Sequence, residues 1–412
     1  MINQETIVRS NGIFHGLPTY SSTPGTQNLT ALVTGATGLS GYHMVKVLAA
    51  SQRWRKIYCL SSRPPPENFF ADLGDGSEKV EHAAIDFLQQ PAQIAECLSD
   101  KIEHVDHVFY FSYMQPPPKG DALDLWAHAD ELARINLSLF KNFIGGLQLA
   151  GLQPKRFMLQ TGSKHYAFYL GPAAIPAFES DPRVTIDDNF YYAQEDALIS
   201  YFRDGSLNHL IGFGIYASVQ AYMKQPLLFP GDYRAWDREQ HQSSGLLNAY
   251  FQEWLVLSES TAGEAFNIHD GDSFTWGGSG PILLNETDDS KYRTIKMVLP
   301  TTPRGYGPQA TMRSTFSLLE WSLKPEVEQA WKEIAHKHDL VLNPFDPLYR
   351  ARIFSFSDSA VIGDGAMTLS MRKARKHGFF GTVDSYQSIF DSLHELARLK
   401  MIMPPVVGEF VE

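Results

Sequence analysis

Cysteine is scarce in this 412-residue chain, with only Cys59 and Cys97 present. Two thiols without metal-binding or redox spacing exclude a disulfide scaffold and fit a reducing compartment. Basic charge is also in deficit, 35 Lys and Arg against 46 Asp and Glu, a net charge of −11. That balance excludes a broad electrostatic grip on nucleic acid or on an anionic membrane. No apolar run reaches the length of a membrane helix, and Met1–Thr6 has no basic segment leading into an apolar one. The expectation is a cytoplasmic protein with a small-molecule substrate and no nucleic-acid or membrane partner; a homodimer stays open. Cations gather at Arg372-Lys373-Ala374-Arg375-Lys376-His377, which reads as a solvated helix face. His165, His209 and His269 are scattered without metal-ligand spacing, so no metal site is expected. No Gly-x-Ser-x-Gly elbow supports a hydrolase.

What is present is an ordinary globular composition, 43% hydrophobic and 20% charged, and a chain long enough for one large α/β domain with a smaller second region. Its organising stretch is Leu32-Val33-Thr34-Gly35-Ala36-Thr37-Gly38-Leu39-Ser40-Gly41, an apolar strand, a G-x-x-G-x-x-G loop and the start of a helix. Such a turn gathers backbone N–H groups and the positive end of a helix dipole at one point, where a pyrophosphate can sit. Gly35, Thr37, Gly38, Leu39, Ser40 and Gly41 are therefore candidate cofactor-binding residues.

The chain is expected to divide into an N-terminal arm (1–28) laid on the surface, a nucleotide-binding domain (29–205) and a substrate-binding lid (206–412). From Ala31 onward, strands alternate with helices as in a parallel sheet covered on both faces. Strand two, Lys56–Leu60, ends at Ser62 and Arg63 with no acidic residue to take a ribose 2′-hydroxyl. A hydroxyl and a guanidinium fork suit a 2′-phosphate instead, which favours NADP(H) over NAD. Strand three ends at Asp86 and Phe87, a carboxylate and a ring able to bracket adenine. Strand four delivers Ser112 and Tyr113, and strand five, ending at Gln160, delivers Lys164. In the second half, Leu246–Leu257, Lys324–Lys337 and Gln387–Lys400 read as helices and Glu264–Ile268 as a strand.

A reductase needs a proton donor beside the atom that gains charge, and a tyrosine serves only with a cation nearby to lower its pKa from about 10. The familiar Tyr-x-x-x-Lys pair is absent, because Glu195 stands four residues after Tyr191. Lys164, at the carboxyl edge of the sheet, can supply the cation from a different element.

Thr161-Gly162-Ser163-Lys164-His165-Tyr166, with Asn189-Phe190-Tyr191-Tyr192 and Glu195-Asp196, closely resembles the progesterone 5β-reductase and iridoid synthase-like family of extended short-chain dehydrogenases. His107–Tyr110, Ala265–Asp272 and His377–Gly381 support the resemblance, and Ser10–Pro18 looks like fungal members. The resemblance implies a Rossmann-like doubly wound parallel sheet with a mainly helical lid, and NADPH-dependent reduction of an activated C=C bond or a carbonyl. It assigns Lys164 and Tyr191 as catalytic. Thr37, Gly38, Leu39, Ser62, Arg63, Asp86, Phe87, Ser112 and Gln160 match cofactor-contacting positions. Tyr113, Phe168, Phe190 and Ser370 are assigned to the substrate pocket. Tyr192 ranks below Tyr191, since neighbouring helical residues point in different directions.

Two departures stand out. The family's strand ending in Arg-Pro, which borders the nicotinamide, is missing after the tyrosine helix. Either Leu207–Tyr216 takes its place as a strand, or coding sequence is lost, or hydride transfer is lost. The last case leaves an isomerase or cyclase, or a non-catalytic NADP-binding sensor. The second departure is the glycine- and proline-rich stretch from Trp276 to Gln309, which predicts an altered, irregular lid.

Overall fold

The computed structural model describes residues 7–20, 25–66, 69–115, 129–167, 175–186, 188–199, 210–225, 227–231, 233–277, 293–296, 311–314, 316–361 and 368–404. Five parallel strands build the central sheet: β3 (Leu29–Thr34), β4 (Trp54–Ser61), β5 (Val80–Ala84), β6 (His107–Tyr110) and β7 (Arg156–Leu159). Their order is β5-β4-β3-β6-β7. The chain thus starts in the middle, builds outward to one edge and then crosses back to build the other. In such a sheet a crevice opens beyond the carboxyl ends of β3 and β6, where the order reverses. The glycine loop follows β3, and Ser112 follows β6.

Alternation along the strands feeds two separate cores. Ala31 and Val33 of β3 face the helices α1 (Leu39–Ala50) and α7 (Gly245–Leu257), whereas Leu32 faces α2 (Pro91–Ser99) and α3 (Ala129–Leu149). Trp54 and Phe109 fill the first core, and Tyr110, Phe140 and Phe143 the second. Both faces of every central strand are therefore covered, as an all-parallel sheet requires. A third core lies wholly in the second half of the chain. It joins Phe213, Ile215 and Val219 of α5 (Leu210–Met223) to Trp276, Trp321, Trp331 and Phe354.

Several elements differ from the sequence reading. The arm is no surface appendage: β1 (Val8–Asn11) and β2 (Phe14–Pro18) form an antiparallel hairpin. Its Phe14 and Leu17 lie in the first core, and His15 exchanges both backbone hydrogen bonds with Thr382. The boundary at 205/206 does not divide the packing either, because α7, Phe379 and Val383 complete one face of the nucleotide domain. Glu264–Ile268 forms no strand. Its apolar residues, Phe266 and Ile268, pack on the first core from an irregular segment. Leu210–Tyr216 is helical, so it does not stand in for a sheet strand; 207–209 lie outside the described residues. With glycines at 212 and 214 the helix comes very close to its neighbours: a Cβ on Gly212 would meet Ser357 and one on Gly214 would meet Ile402. Within 276–309, β8 (Arg293–Lys296) pairs antiparallel with β9 (Thr311–Ser314); most of the rest lies outside the described residues.

Candidate active site

The glycine loop is held by close backbone approach. Gly35 has φ +62°, and a Cβ there would lie 2.7 Å from the Phe111 carbonyl oxygen at the end of β6. A Cβ on Gly41 would lie 2.4 Å from the Gly35 oxygen. Side chains are thus excluded by neighbouring main chain, which leaves no room to adjust. Helix α1 opens without a side-chain cap and with no acid in its first turn. An uncapped helix start beside a glycine cradle fits a pyrophosphate.

Around the loop, side chains lock the strand ends together. The Thr34 hydroxyl accepts from the backbone N–H of Phe111 (3.1 Å) and of Ser112 (3.3 Å), clamping β6 to β3. Gln160 donates to Ser40 Oγ at 2.9 Å and accepts from Gln252 of α7 at 2.8 Å. The end of β7 is thereby tied to the first turn of α1 on one side and to the second half of the chain on the other.

At the adenosine end, Ser62 and Arg63 are both exposed. Arg63 Nη1 donates to the Tyr349 hydroxyl at 2.6 Å, and its guanidinium lies 5.9 Å from that ring's centroid. Tyr349, on helix Pro347–Val361, reaches this end from a part of the chain 286 residues away. Asp86 is exposed and accepts from Leu88 N–H at 2.9 Å. Phe87 does not present its ring to a nucleotide: the ring is buried against Phe143, 4.7 Å between centroids. A contact from Phe87 with a bound cofactor would come from its main chain.

The catalytic candidates sit on two braced elements. Lys164 is on the short 3-10 turn Ser163–Tyr166, and Tyr191 is in the first turn of α4 (Phe190–Ile199). Both are buried, at 6% and 7% exposure, which makes any charge or hydroxyl there count strongly. One side chain couples them: Asn189 Nδ2 donates to the Lys164 carbonyl (2.8 Å), and its Oδ1 accepts from Tyr191 N–H (3.1 Å). The second bond is a helix cap, the role asparagine suits best.

Tyr192 provides the second brace. Its hydroxyl donates to the His165 carbonyl at 2.5 Å and accepts from Val184 N–H at 3.0 Å. Burial also raises its phenol above the ordinary value. Both hydrogen-bonding roles of that hydroxyl are thus taken up by main chain. A third brace is buried Glu195, 3.2 Å from His165 Nδ1 and 2.7 Å from Arg183. Glu195 and Asp196 together hold Arg183.

Tyr113 and Phe190 join Tyr191 in one small cluster, with the Tyr113 and Phe190 rings 5.7 Å apart. Phe168 lies outside the described residues. Ser370 is not in this cluster: its N–H donates to the Ala177 carbonyl at 3.0 Å, on the wall of another cavity. Asn136 is structural, wholly buried and bonded to both main-chain groups of Met114. Sequence reasoning missed Asn189, Thr34, Gln252 and Tyr349 as site-forming residues. Only Asn189 carried a signal, an asparagine immediately before a helix.

No family model matches the chain. Among curated proteins it is 27% identical to a short chain dehydrogenase of Penicillium aethiopicum, over 90% of this chain and 99% of that one. It is 26% identical to the 3-oxo-Δ4,5-steroid 5β-reductase of Arabidopsis thaliana, over 90% and 92% of the two chains. To the (S)-8-oxocitronellyl enol synthase of Antirrhinum majus it is 27% identical, over 93% and 94%. Similar solved structures include an epimerase of Methanothermobacter thermautotrophicus, at 13% identity and a TM-score of 0.52, covering 90% of this chain and 93% of that one. Another is a UDP-glucuronic acid 4-epimerase of Bacillus cereus, at 11% identity and a TM-score of 0.50, covering 89% and 100%. These neighbours share the fold.

Sheet order, glycine loop and relatives together define a reductase-type oxidoreductase of the extended short-chain dehydrogenase class, built for a nicotinamide cofactor. Over about nine-tenths of its length the chain is similar to the steroid 5β-reductase and to the (S)-8-oxocitronellyl enol synthase.

Proposed function

We propose that the chain is an NADPH-dependent reductase of an activated C=C bond in a small, largely apolar metabolite. The observation that carries this reading is the Asn189 bridge, which holds the lysine turn and the tyrosine helix together beyond the carboxyl end of β7. The glycine cradle and uncapped α1 would hold the pyrophosphate, and Ser62 with Arg63 the 2′-phosphate. When bound, NADPH would supply a hydride for the β-carbon of the substrate, and the α-carbon of the resulting enolate would take a proton from water. The Tyr191 hydroxyl donates a hydrogen bond to the carbonyl oxygen, where negative charge accumulates as the enolate forms. The Lys164 ammonium favours that charge and the ionised phenol alike. Tyr113 and Phe190 give the substrate an apolar wall. The reading also places the protein in the cytosol, in keeping with its free thiols.

One observation favours a second reading. Among the described residues the sheet has no strand beyond β7, whereas the family resemblance implies a further strand bordering the nicotinamide. A protein of this fold without hydride transfer would use Tyr191 to polarise a carbonyl in an isomerisation or cyclisation.

The test is a titration with NADPH and NADH, followed by absorbance of the reduced cofactor with a panel of enones. Tighter NADPH binding and its oxidation by at least one enone are expected. Binding without oxidation by any of them favours the second reading or a non-catalytic sensor, and no binding overturns all three.

A further inference from the structure

A cavity of about 460 Å³, a volume suited to a metabolite-sized ligand, lies apart from the glycine loop between residues 176–177, the 241 and 269–271 segments and the start of helix Arg372–His377. Its wall includes Ser370, His241, His269, Arg372 and Arg375, and among the described residues no carboxylate lines it. The two imidazoles are stacked, 3.9 Å between centroids and 15° between planes. Each is fixed in one tautomer: His241 Nδ1 accepts from Leu369 N–H at 3.1 Å, and His269 Nδ1 from Gly271 N–H at 3.0 Å. A ring nitrogen that accepts carries no proton, so in the neutral ring the proton is on Nε2. Burial keeps both rings neutral, His269 being pushed down to about 3. His269 also has a hydrogen bond with the Leu369 main chain that favours its protonated form, the sense of a ring N–H donating to a carbonyl.

Lys373 pairs with Glu264 at 2.7 Å, whereas neither Arg372 nor Arg375 has an ion-pair partner among the described residues. The nearby acids face elsewhere or into solvent. Asp270 is buried and accepts from Ser244 N–H, Ser385 and Ser388, while Asp272 is exposed. Two guanidiniums therefore reach the pocket with no ion-pair partner among the described residues.

We infer that this pocket binds the oxyanion end of a small organic acid, a carboxylate or a phosphate group, with Arg372 and Arg375 as its charge partners. Guanidinium forks match both groups in geometry. The inference stands independently of the proposed reaction. It also gives a purpose to half of a cationic run that otherwise reads as a solvated face. A hydrogen-bond path joins the pocket to the lysine turn: Ser370 N–H to the Ala177 carbonyl, Asn267 Nδ2 to the same carbonyl, and the Tyr166 hydroxyl to Asn267 Oδ1.

Calorimetric titration of the full chain with malonate and, separately, with inorganic phosphate tests this. At least one of them is expected to bind with a Kd below about 10 mM, malonate preference marking a carboxylate ligand and phosphate preference a phosphate one. Arg372→Gln and Arg375→Gln should each weaken that binding about tenfold or more, with melting temperature and NADPH affinity unchanged, since both side chains are exposed. Lys373→Gln should leave binding intact. Absence of binding by both anions, an equal loss in Lys373→Gln, or competitive displacement by NADPH would each overturn the inference.

Discussion

The phosphate end of the site and its catalytic end are held by different physics. At the phosphate end, main chain excludes side chains: Gly35 and Gly41 stand where a single added carbon would strike backbone oxygens. At the catalytic end, side chains span the gap, with Asn189, Tyr192 and Glu195 fastening the lysine turn to the tyrosine helix. The first arrangement tolerates no substitution but depends on few residues. The second spreads its cost over several hydrogen bonds, each of which can be removed singly.

The largest expected effect is therefore at the phosphate end. Gly35→Ala places a Cβ at positive φ and against the Phe111 carbonyl. It should cost about 1–3 kcal/mol of stability and abolish measurable NADPH binding by fluorescence titration. Next is Asn189→Ala, which removes the side chain that bonds both the Tyr191 N–H and the Lys164 carbonyl. A loss of about 1–3 kcal/mol is expected in denaturant unfolding, with turnover reduced and NADPH affinity changed less than about threefold. If NADPH binding fell as far as in Gly35→Ala, the two ends would not be separable. Arg63→Ala is a smaller change at an exposed position: NADPH should bind about tenfold more weakly, with NADH unaffected.

A pH dependence sharpens the comparison from outside both ends. Asp106 lies just before β6, at the edge of the sheet opposite the site. Burial alone would raise its pKa, but Lys155, the Thr30 N–H and His104 hold it down at about 2. A carboxylate depressed in the folded state adds stability that is present above its unfolded value of about 3.9. The contribution is lost as pH falls from there through about 2. Melting temperature should drop across that window, and Asp106→Asn should flatten the drop.

How much of this was legible in the sequence follows the same division. The glycine loop, the strand ends at Arg63 and Asp86, and the helices Gly245–Leu257 and Pro325–His338 are local patterns, and they fold as their residues dictate. Asn136 and Phe87 carry chemistry that suits a site, yet packing directs both inward. The strand Val8–Asn11 of the hairpin is exposed throughout, and only the core across from it reveals why Phe14 and Leu17 are buried. Tyr349 and Gln252 reach the site from the second half of the chain. No spacing rule connects residues that far apart, so these two contacts were invisible until the chain was folded.

The most direct test of the account is the pair Tyr191→Phe and Tyr192→Phe, each assayed for NADPH oxidation by an enone that the unaltered protein reduces. Tyr191→Phe should bind NADPH normally, unfold within about 1 kcal/mol of the parent and lose turnover. Tyr192→Phe should lose about 1–2 kcal/mol of stability and keep most of its turnover. Full activity in Tyr191→Phe, or its loss in a folded Tyr192→Phe alone, would contradict the assignment.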